Sequence, residues 1–265
     1  MMLLTVDQVY KSFQQKNSLF SSKQKTIING VSLQLARGEC LGIIGESGSG
    51  KSTLGKMMLG IEPPSAGRIL FEEADIYQSG LAKKSSNWRS KISAVFQDYT
   101  SSVNPRFRVK DIIAEPMENS SKAEAKERVV SLLEKVGLCG DHIMRYPHEL
   151  SGGQLQRVCI ARAISMNPAF ILLDEPVSSL DVSVQVQVMD LLLSLKEEYN
   201  LSYVFISHDL AAVAYFCDRA LFFAEGKIVE EVPHMMELGN IQNAYSRKLL
   251  HSVMDFSDVL NDAAG

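Results

Sequence analysis

Gly45-Glu46-Ser47-Gly48-Ser49-Gly50-Lys51-Ser52-Thr53 puts glycines, one lysine and hydroxyl side chains at a spacing suited to phosphate chemistry. Glycines let backbone N–H groups curl around β- and γ-phosphates. Lys51 brings a point charge to them, and the Ser52 hydroxyl can ligate Mg²⁺. A second glycine-bearing stretch, Leu150-Ser151-Gly152-Gly153-Gln154, precedes the helix-forming run Gln154–Ala163. A serine hydroxyl and unobstructed N–H groups at a helix N-terminus make an anion site. The third constellation is Phe170-Ile171-Leu172-Leu173-Asp174-Glu175, an apolar strand ending in two acids. There Asp174 would hold Mg²⁺, directly or through water, and Glu175 would act as general base on the attacking water.

Three further residues gain meaning only beside these. His208 follows the apolar run Tyr203–Ile206, and at a strand's carboxyl end it is placed to reach a γ-phosphate. Gln97, after Val95-Phe96, is by itself a loop amide. Phe13 is either a base-stacking ring or an exposed aromatic.

The elements that must position these groups are legible from periodicity. Residues 3–10 and 31–36 alternate polar and apolar, as half-buried antiparallel strands do. Between them Gln14–Thr26 is rich in Ser, Gln and Lys and reads as an exposed loop. Cys40–Ile44 is a short apolar run, consistent with a buried parallel strand. Ser52–Ile61 reads as a helix stopped by Pro63-Pro64. Later, strands at Ala169–Leu173 and Ser202–Ile206 alternate with helices from Asp181 and over Asp209–Phe216, which implies a parallel sheet covered by helices. Val182, Val184, Val186 and Val188 alternate as in a strand, but the run continues through Leu191, Leu192 and Leu195 at helical spacing, and its length favours helix. Charged helical stretches such as Lys122–Val136 interrupt the alternation and predict an inserted helical subdomain over about 98–160.

Composition narrows the function classes. The chain has 265 residues, 46% hydrophobic and 22% charged, enough for a substantial core. A net charge of -4 gives no basic footprint for nucleic acid. Cys40, Cys139, Cys159 and Cys217 lack Cys-x-x-Cys spacing and read as buried free thiols in a reducing compartment. No apolar run is long enough to span a bilayer and the first residues lack a signal peptide's pattern, so the sequence predicts a cytosolic chain with any membrane role supplied by a partner. His234-Met235-Met236 reads as a loop packing against the body rather than a metal site.

Taken together, the segments resemble the nucleotide-binding subunit of an ABC transporter over nearly the whole chain. The resemblance makes 45–53 the Walker A loop, Gln97 the Q-loop, 150–154 the signature, 170–175 Walker B, Ser179-Leu180-Asp181 the D-loop and His208 the switch histidine. It implies a P-loop α/β fold with a mainly parallel core sheet, an N-terminal antiparallel β subdomain and the inserted helical subdomain. The whole would be one nucleotide-binding domain, 1–265, with a short tail over about 233–265. The family packs two subunits head to tail, so Ser151, Gly152, Gly153, Gln154 and Asp181 would touch the partner's ATP. The chain's own ATP would take Gly45 through Thr53, with Phe13 against adenine and Ser52, Gln97 and Asp174 on Mg²⁺. Glu175, His208 and Gln97 would carry hydrolysis.

Phe96-Gln97-Asp98, Ser102-Val103-Asn104-Pro105-Arg106 and Ile112-Ile113-Ala114-Glu115-Pro116 resemble the peptide and nickel importer branch, and Asp174–Val182 resembles the second of its two ATPases. The stretch Val103–Arg106 and Leu150–Cys159 are most similar to the nickel type. The resemblance implies a second ATPase subunit of different sequence, two permease subunits and an extracytoplasmic binding protein, with this chain peripheral on the cytoplasmic face of the cell membrane. Nickel or a nickel chelate is the expected cargo, a dipeptide or oligopeptide the alternative. In the tail, Asn243-Ala244-Tyr245-Ser246-Arg247-Lys248-Leu249-Leu250 resembles a degraded form of the branch's C-terminal motif, with Asn243-Ala244 in place of His-Pro. A non-transport ABC ATPase would need a long coiled-coil insertion or tandem cassettes, and neither is visible.

Overall fold

A computed structural model describes residues 1–18, 21–78, 88–117 and 122–251. The last part of the predicted tail, 252–265, and residues 118–121 of the predicted helical stretch lie outside these. The chain divides into two compact units, Met1–Ser86 with Val204–Gly265, and Asn87–Tyr203.

In the first unit, β1 (Met2–Ser18) and β2 (Ser21–Ala36) pair antiparallel, with Leu4 opposite Leu35 and Val6 opposite Leu33. With β4 (Ala66–Phe71) and β5 (Ala74–Asp75) they form a sheet of order β2-β1-β4-β5. The alternation holds over Leu4–Val6 and Val31–Leu35, whose apolar side chains are buried, and breaks at Leu3, also buried, and between Val6 and Val9, where the pairing shifts. The expected loop at Gln14–Thr26 is mostly strand instead, with Phe13 opposite Lys25 and Gln14 opposite Gln24. Antiparallel pairing satisfies backbone N–H and C=O groups whatever the side chains, so a polar sequence gave no apolar pattern to betray it.

A second set of strands carries the phosphate-type loop. The five residues of β3 (Cys40–Ile44) are all buried and run parallel to β9 (Arg219–Ala224), which pairs antiparallel with β10 (Lys227–Val232). The helix α1 (Lys51–Met58) follows, ending three residues before the expected Ile61. Its end is held from the side: Tyr77 Oη donates to the carbonyls of Met57 (2.8 Å) and Glu62 (2.7 Å), and burial first, then Glu62 and Asp75, pushes the Tyr77 phenol up. Helix α6 (Leu210–Phe216) starts at Asp209, whose carboxylate accepts the N–H groups of Ala211 and Ala212.

The second unit pairs β6 (Ile92–Phe96) parallel to β7 (Phe170–Asp174), with Val95 opposite Leu173 and Phe96 opposite Asp174. Between these strands come α2 (Val109–Ala114), α3 (Lys122–Lys135) and α4 (Gly152–Ile164). Then α5 (Val182–Tyr199) resolves the valine ambiguity as helix. Val182 is 75% exposed and Val188 fully buried, which a strand with all four valines on one face could not give. The unit boundary falls inside β8 (Ser202–Ser207), whose Tyr203 Oη donates to the Leu192 carbonyl of α5.

Two smaller expectations need correction. Cys139 is exposed, while Cys40, Cys159 and Cys217 are buried, with 3.5 Å between the sulfurs of Cys40 and Cys217. Cys139 follows α3 as the N-cap of the 3-10 segment Gly140–His142 rather than in an apolar element. In the His234–Met236 stretch Met236 is 97% exposed, so only part of it meets the expectation: Met235 is half-buried and its N–H donates to the Asp218 carbonyl at 3.3 Å.

Candidate nucleotide site

The loop between β3 and α1 is shaped by steric necessity at its first residue. A Cβ on Gly45 would lie 2.1 Å from the Phe223 carbonyl oxygen of β9, so only glycine fits. Lys51 is 5% exposed, and its ammonium donates to the carbonyls of Gly45 (2.7 Å) and Glu46 (2.8 Å). Two carbonyls of the loop therefore fix the cation over the loop's own backbone. Ser49 N–H donates to the Glu46 carbonyl at 3.3 Å, closing the turn. Glu46, Ser47, Gly48 and Ser52 are exposed, Ser49 and Thr53 half-buried, and Gly50 caps α1 in a left-handed conformation.

Strand β7 delivers Asp174 and Glu175, both half-buried, at its carboxyl end. Glu175 has φ +49°, a left-handed backbone that costs a non-glycine residue about 1–2 kcal/mol. Its carbonyl accepts from Ser178 Oγ at 3.1 Å. Because Phe96 is registered against Asp174, Gln97 leaves β6 at the level where Glu175 leaves β7. Gln97 is exposed. The next residue, Asp98, is held down at about 2 by Thr100 Oγ1 (2.6 Å), then by the Ser101 N–H (2.9 Å), which pins the loop after Gln97.

The signature stretch begins α4 with a reciprocal cap. The Ser151 hydroxyl accepts the Gln154 N–H (3.3 Å), and Gln154 Oε1 accepts the Ser151 N–H (3.0 Å). Gln154 Nε2 lies 3.2 Å from His142 Nε2. Ser151, Gly152, Gly153 and Gln154 share a recess of about 410 Å³ with Ser179, Leu180 and Asp181, the N-cap of α5. Two buried or part-buried amides fix this arrangement. Gln156 Nε2 donates to the Pro176 carbonyl at 2.7 Å, and Gln185 Nε2 to those of Val177 and Leu180 at 3.0 Å.

The structure thus brings the signature and D-loop residues together, and sets Gln97 and the two acids on neighbouring strand ends. His208 follows β8 and is exposed, with Asp209 N–H bonded to Ser207 Oγ at 2.9 Å. Phe13 is 43% exposed, with the Lys11 ammonium 5.0 Å from its ring centre. Sequence reasoning missed Tyr99, Arg157 and Gln187 in the recess. A Cβ on Gly152 would lie 2.7 Å from Tyr99 Oη, a close approach across 53 residues that no local spacing encodes. Behind the recess, Arg162 Nη1 donates to the Ser102 carbonyl at 2.6 Å, and burial pushes the Cys159 thiol up against the opposing charge of Arg162.

Residues 28–178 match the family model described as ABC transporter. The chain belongs to the ABC transporter family. Among curated ABC proteins it is 42% identical, over 96% of its own length and 100% of the other, to the metal-staphylopine import system ATP-binding protein CntF of Staphylococcus aureus (strain Mu50 / ATCC 700699). It is 43% identical, over 95% of this chain and 78% of the other, to the oligopeptide transport ATP-binding protein AppF of Bacillus subtilis (strain 168). A solved ATP-binding cassette, MJ0796 as a post-hydrolysis dimer bound to ADP and Pi, superposes with a TM-score of 0.76 at 27% identity, covering 86% of this chain and 97% of that one. The cbiO1 subunit from Clostridium perfringens, part of the cbiONQ ABC transporter complex, gives 0.77 at 26% identity over 98% and 99%.

The predicted branch and fold class hold: this is an ABC ATPase cassette with a parallel sheet core, an antiparallel β subdomain and helices. It is an ATP-binding ATPase serving import, in a branch whose members are named for peptides and for metal-staphylopine. Among the described residues no helix is long and apolar enough to cross a membrane.

Proposed function

We propose that this chain hydrolyses ATP at a composite site to drive an importer of nickel or a nickel chelate. The observation carrying this reading is the co-occurrence in one chain of the Lys51 loop, the strained acid Glu175 and the signature recess. Gly45 through Thr53 hold the phosphates, with Lys51 balancing their charge. Ser52, Asp174 and Gln97 would each turn a side-chain oxygen to the ion, the ligand type that suits Mg²⁺. That ion would draw charge from the β- and γ-phosphates. Glu175 takes the proton of the attacking water, and His208 contacts the γ-phosphate. Lys11 covers one face of Phe13, and adenine stacks on the other.

The recess formed by Ser151, Gly152, Gly153, Gln154 and Asp181 serves the ATP of a partner ATPase. Ser151 holds the Gln154 N–H and, through its carbonyl, that of Leu155. The remaining first-turn donors belong to Gly152 and Gly153, which therefore face the incoming phosphate. The partner is a second, non-identical subunit. Two permeases and an extracytoplasmic binding protein complete the importer, and this subunit sits on the cytoplasmic face of the membrane.

The relative named for metal-staphylopine import supports a metal-chelate cargo, and the relative named for oligopeptides supports the alternative. Uptake of radiolabelled nickel, with and without added chelator, is expected to fall to background in cells whose copy of this chain carries Glu175→Gln. Unchanged nickel uptake with loss of labelled oligopeptide uptake would assign the peptide cargo instead.

A further inference from the structure

The C-terminal motif around Tyr245 takes no part in the chemistry above, yet the chain folds it onto the phosphate loop. Residues 244–251 are helical. Asn243 caps this helix: its Oδ1 accepts the Tyr245 N–H at 2.9 Å and its carbonyl the Arg247 N–H at 3.0 Å. The replacement of His-Pro by Asn243-Ala244 therefore keeps a helix start and supplies a side-chain cap. The cap is anchored to β10, where the Glu230 carboxylate accepts the N–H groups of Gln242 and Asn243 and the Val229 carbonyl accepts from Asn243 Nδ2. Arg247 Nε closes the segment on the Ile241 carbonyl at 3.1 Å.

This anchored helix start carries Tyr245 to the loop, where its phenol oxygen accepts the Glu46 N–H at 2.8 Å. Glu46 is thereby held from both sides. Its N–H is bound to Tyr245, and its carbonyl accepts the Lys51 ammonium and the Ser49 N–H. We propose that Tyr245 is a positioning residue of the nucleotide site, acting through the Glu46 peptide to set where the Lys51 ammonium stands. The inference rests on reading 45–53 as the phosphate loop. It makes the tail a working part of the nucleotide site rather than an appendage.

The test is equilibrium titration of the purified full chain with ATP and Mg²⁺, comparing wild type, Tyr245→Phe and Lys51→Ala. Tyr245→Phe removes one hydrogen bond and keeps the ring, so ATP affinity is expected to fall about three- to tenfold with little change in melting temperature. Asn243→Ala, which loosens the helix carrying Tyr245, is expected to shift affinity in the same direction by less. In the assembled transporter the Tyr245→Phe loss is expected in KM for ATP and not in kcat. Unchanged affinity in Tyr245→Phe, with binding lost in Lys51→Ala, overturns the role of Tyr245 alone. No ATP binding by the folded wild-type chain overturns the phosphate-loop reading and this inference with it.

Discussion

The glycine loop of the first unit and the signature recess of the second, both proposed to hold anionic oxygens, are built by opposite means. The loop brings a full charge: Lys51 is buried and its donors are aligned by the carbonyls of Gly45 and Glu46. The recess has one cation in its lining, Arg157, whose guanidinium donates to the Val136 carbonyl and to Gln187, and none among the signature and D-loop residues. Its polar side chains Ser151 and Gln154 spend their hydrogen bonds on each other and on His142, leaving backbone donors to do the binding. On the proposed function the loop would capture a nucleotide, while the recess would recognise one already held. A charge attracts from a distance, but helix N–H groups act only at contact.

The sharpest way to break this comparison is to remove the chemistry while leaving both binding regions alone. Glu175→Gln is expected to cut ATP turnover of the assembled transporter at least about a hundredfold, because the water loses its base. ATP binding by the isolated chain should survive. Near wild-type turnover would strip Glu175 of that role. Lys51→Ala is expected to weaken ATP binding by the isolated chain about tenfold or more, since a charge-assisted hydrogen bond is lost. Retained affinity would show that the loop does not depend on its cation. Ser151→Ala probes the other region and should have the smallest effect on the isolated chain. Loss of the cap costs about 1 kcal/mol of stability, read as a lower melting temperature. ATP affinity of the isolated chain should be unchanged while turnover of the assembled transporter falls. A fall in affinity of the isolated chain would place Ser151 with the chain's own nucleotide and erase the contrast.

The sequence discloses these two regions unequally. Residues 45–53 could be read directly, since a glycine loop between an apolar strand and a helix is a local pattern, and β3 and α1 stand where periodicity puts them. The strand and helix assignments around Asp174, Asp181 and Asp209 held for the same reason. The helix after Ser151 was legible, but the reciprocal Ser151–Gln154 cap and its His142 neighbour came only with the structure. Tyr99 against Gly152 and Tyr245 on Glu46, the latter pair 199 residues apart, follow from tertiary packing that no window of sequence contains. The polar arm of β1 and β2 was hidden for a different reason. Its strands pair through the backbone, which needs no apolar pattern, and side-chain patterning reports only burial.

The left-handed backbone at Glu175 has a consequence for the economy of the fold. Glycine would adopt that conformation without steric penalty, so Glu175→Gly would relieve strain at the very bend where β7 gives way to the loop. If Glu175 is the proposed general base, local comfort and catalysis make opposing demands on one residue. The bend is held by its surroundings, among them the Ser178 hydroxyl on the Glu175 carbonyl and the Gln156 amide on Pro176. The same amide reaches out from α4, so the helix that begins at the signature stretch also helps to hold the left-handed bend at Glu175.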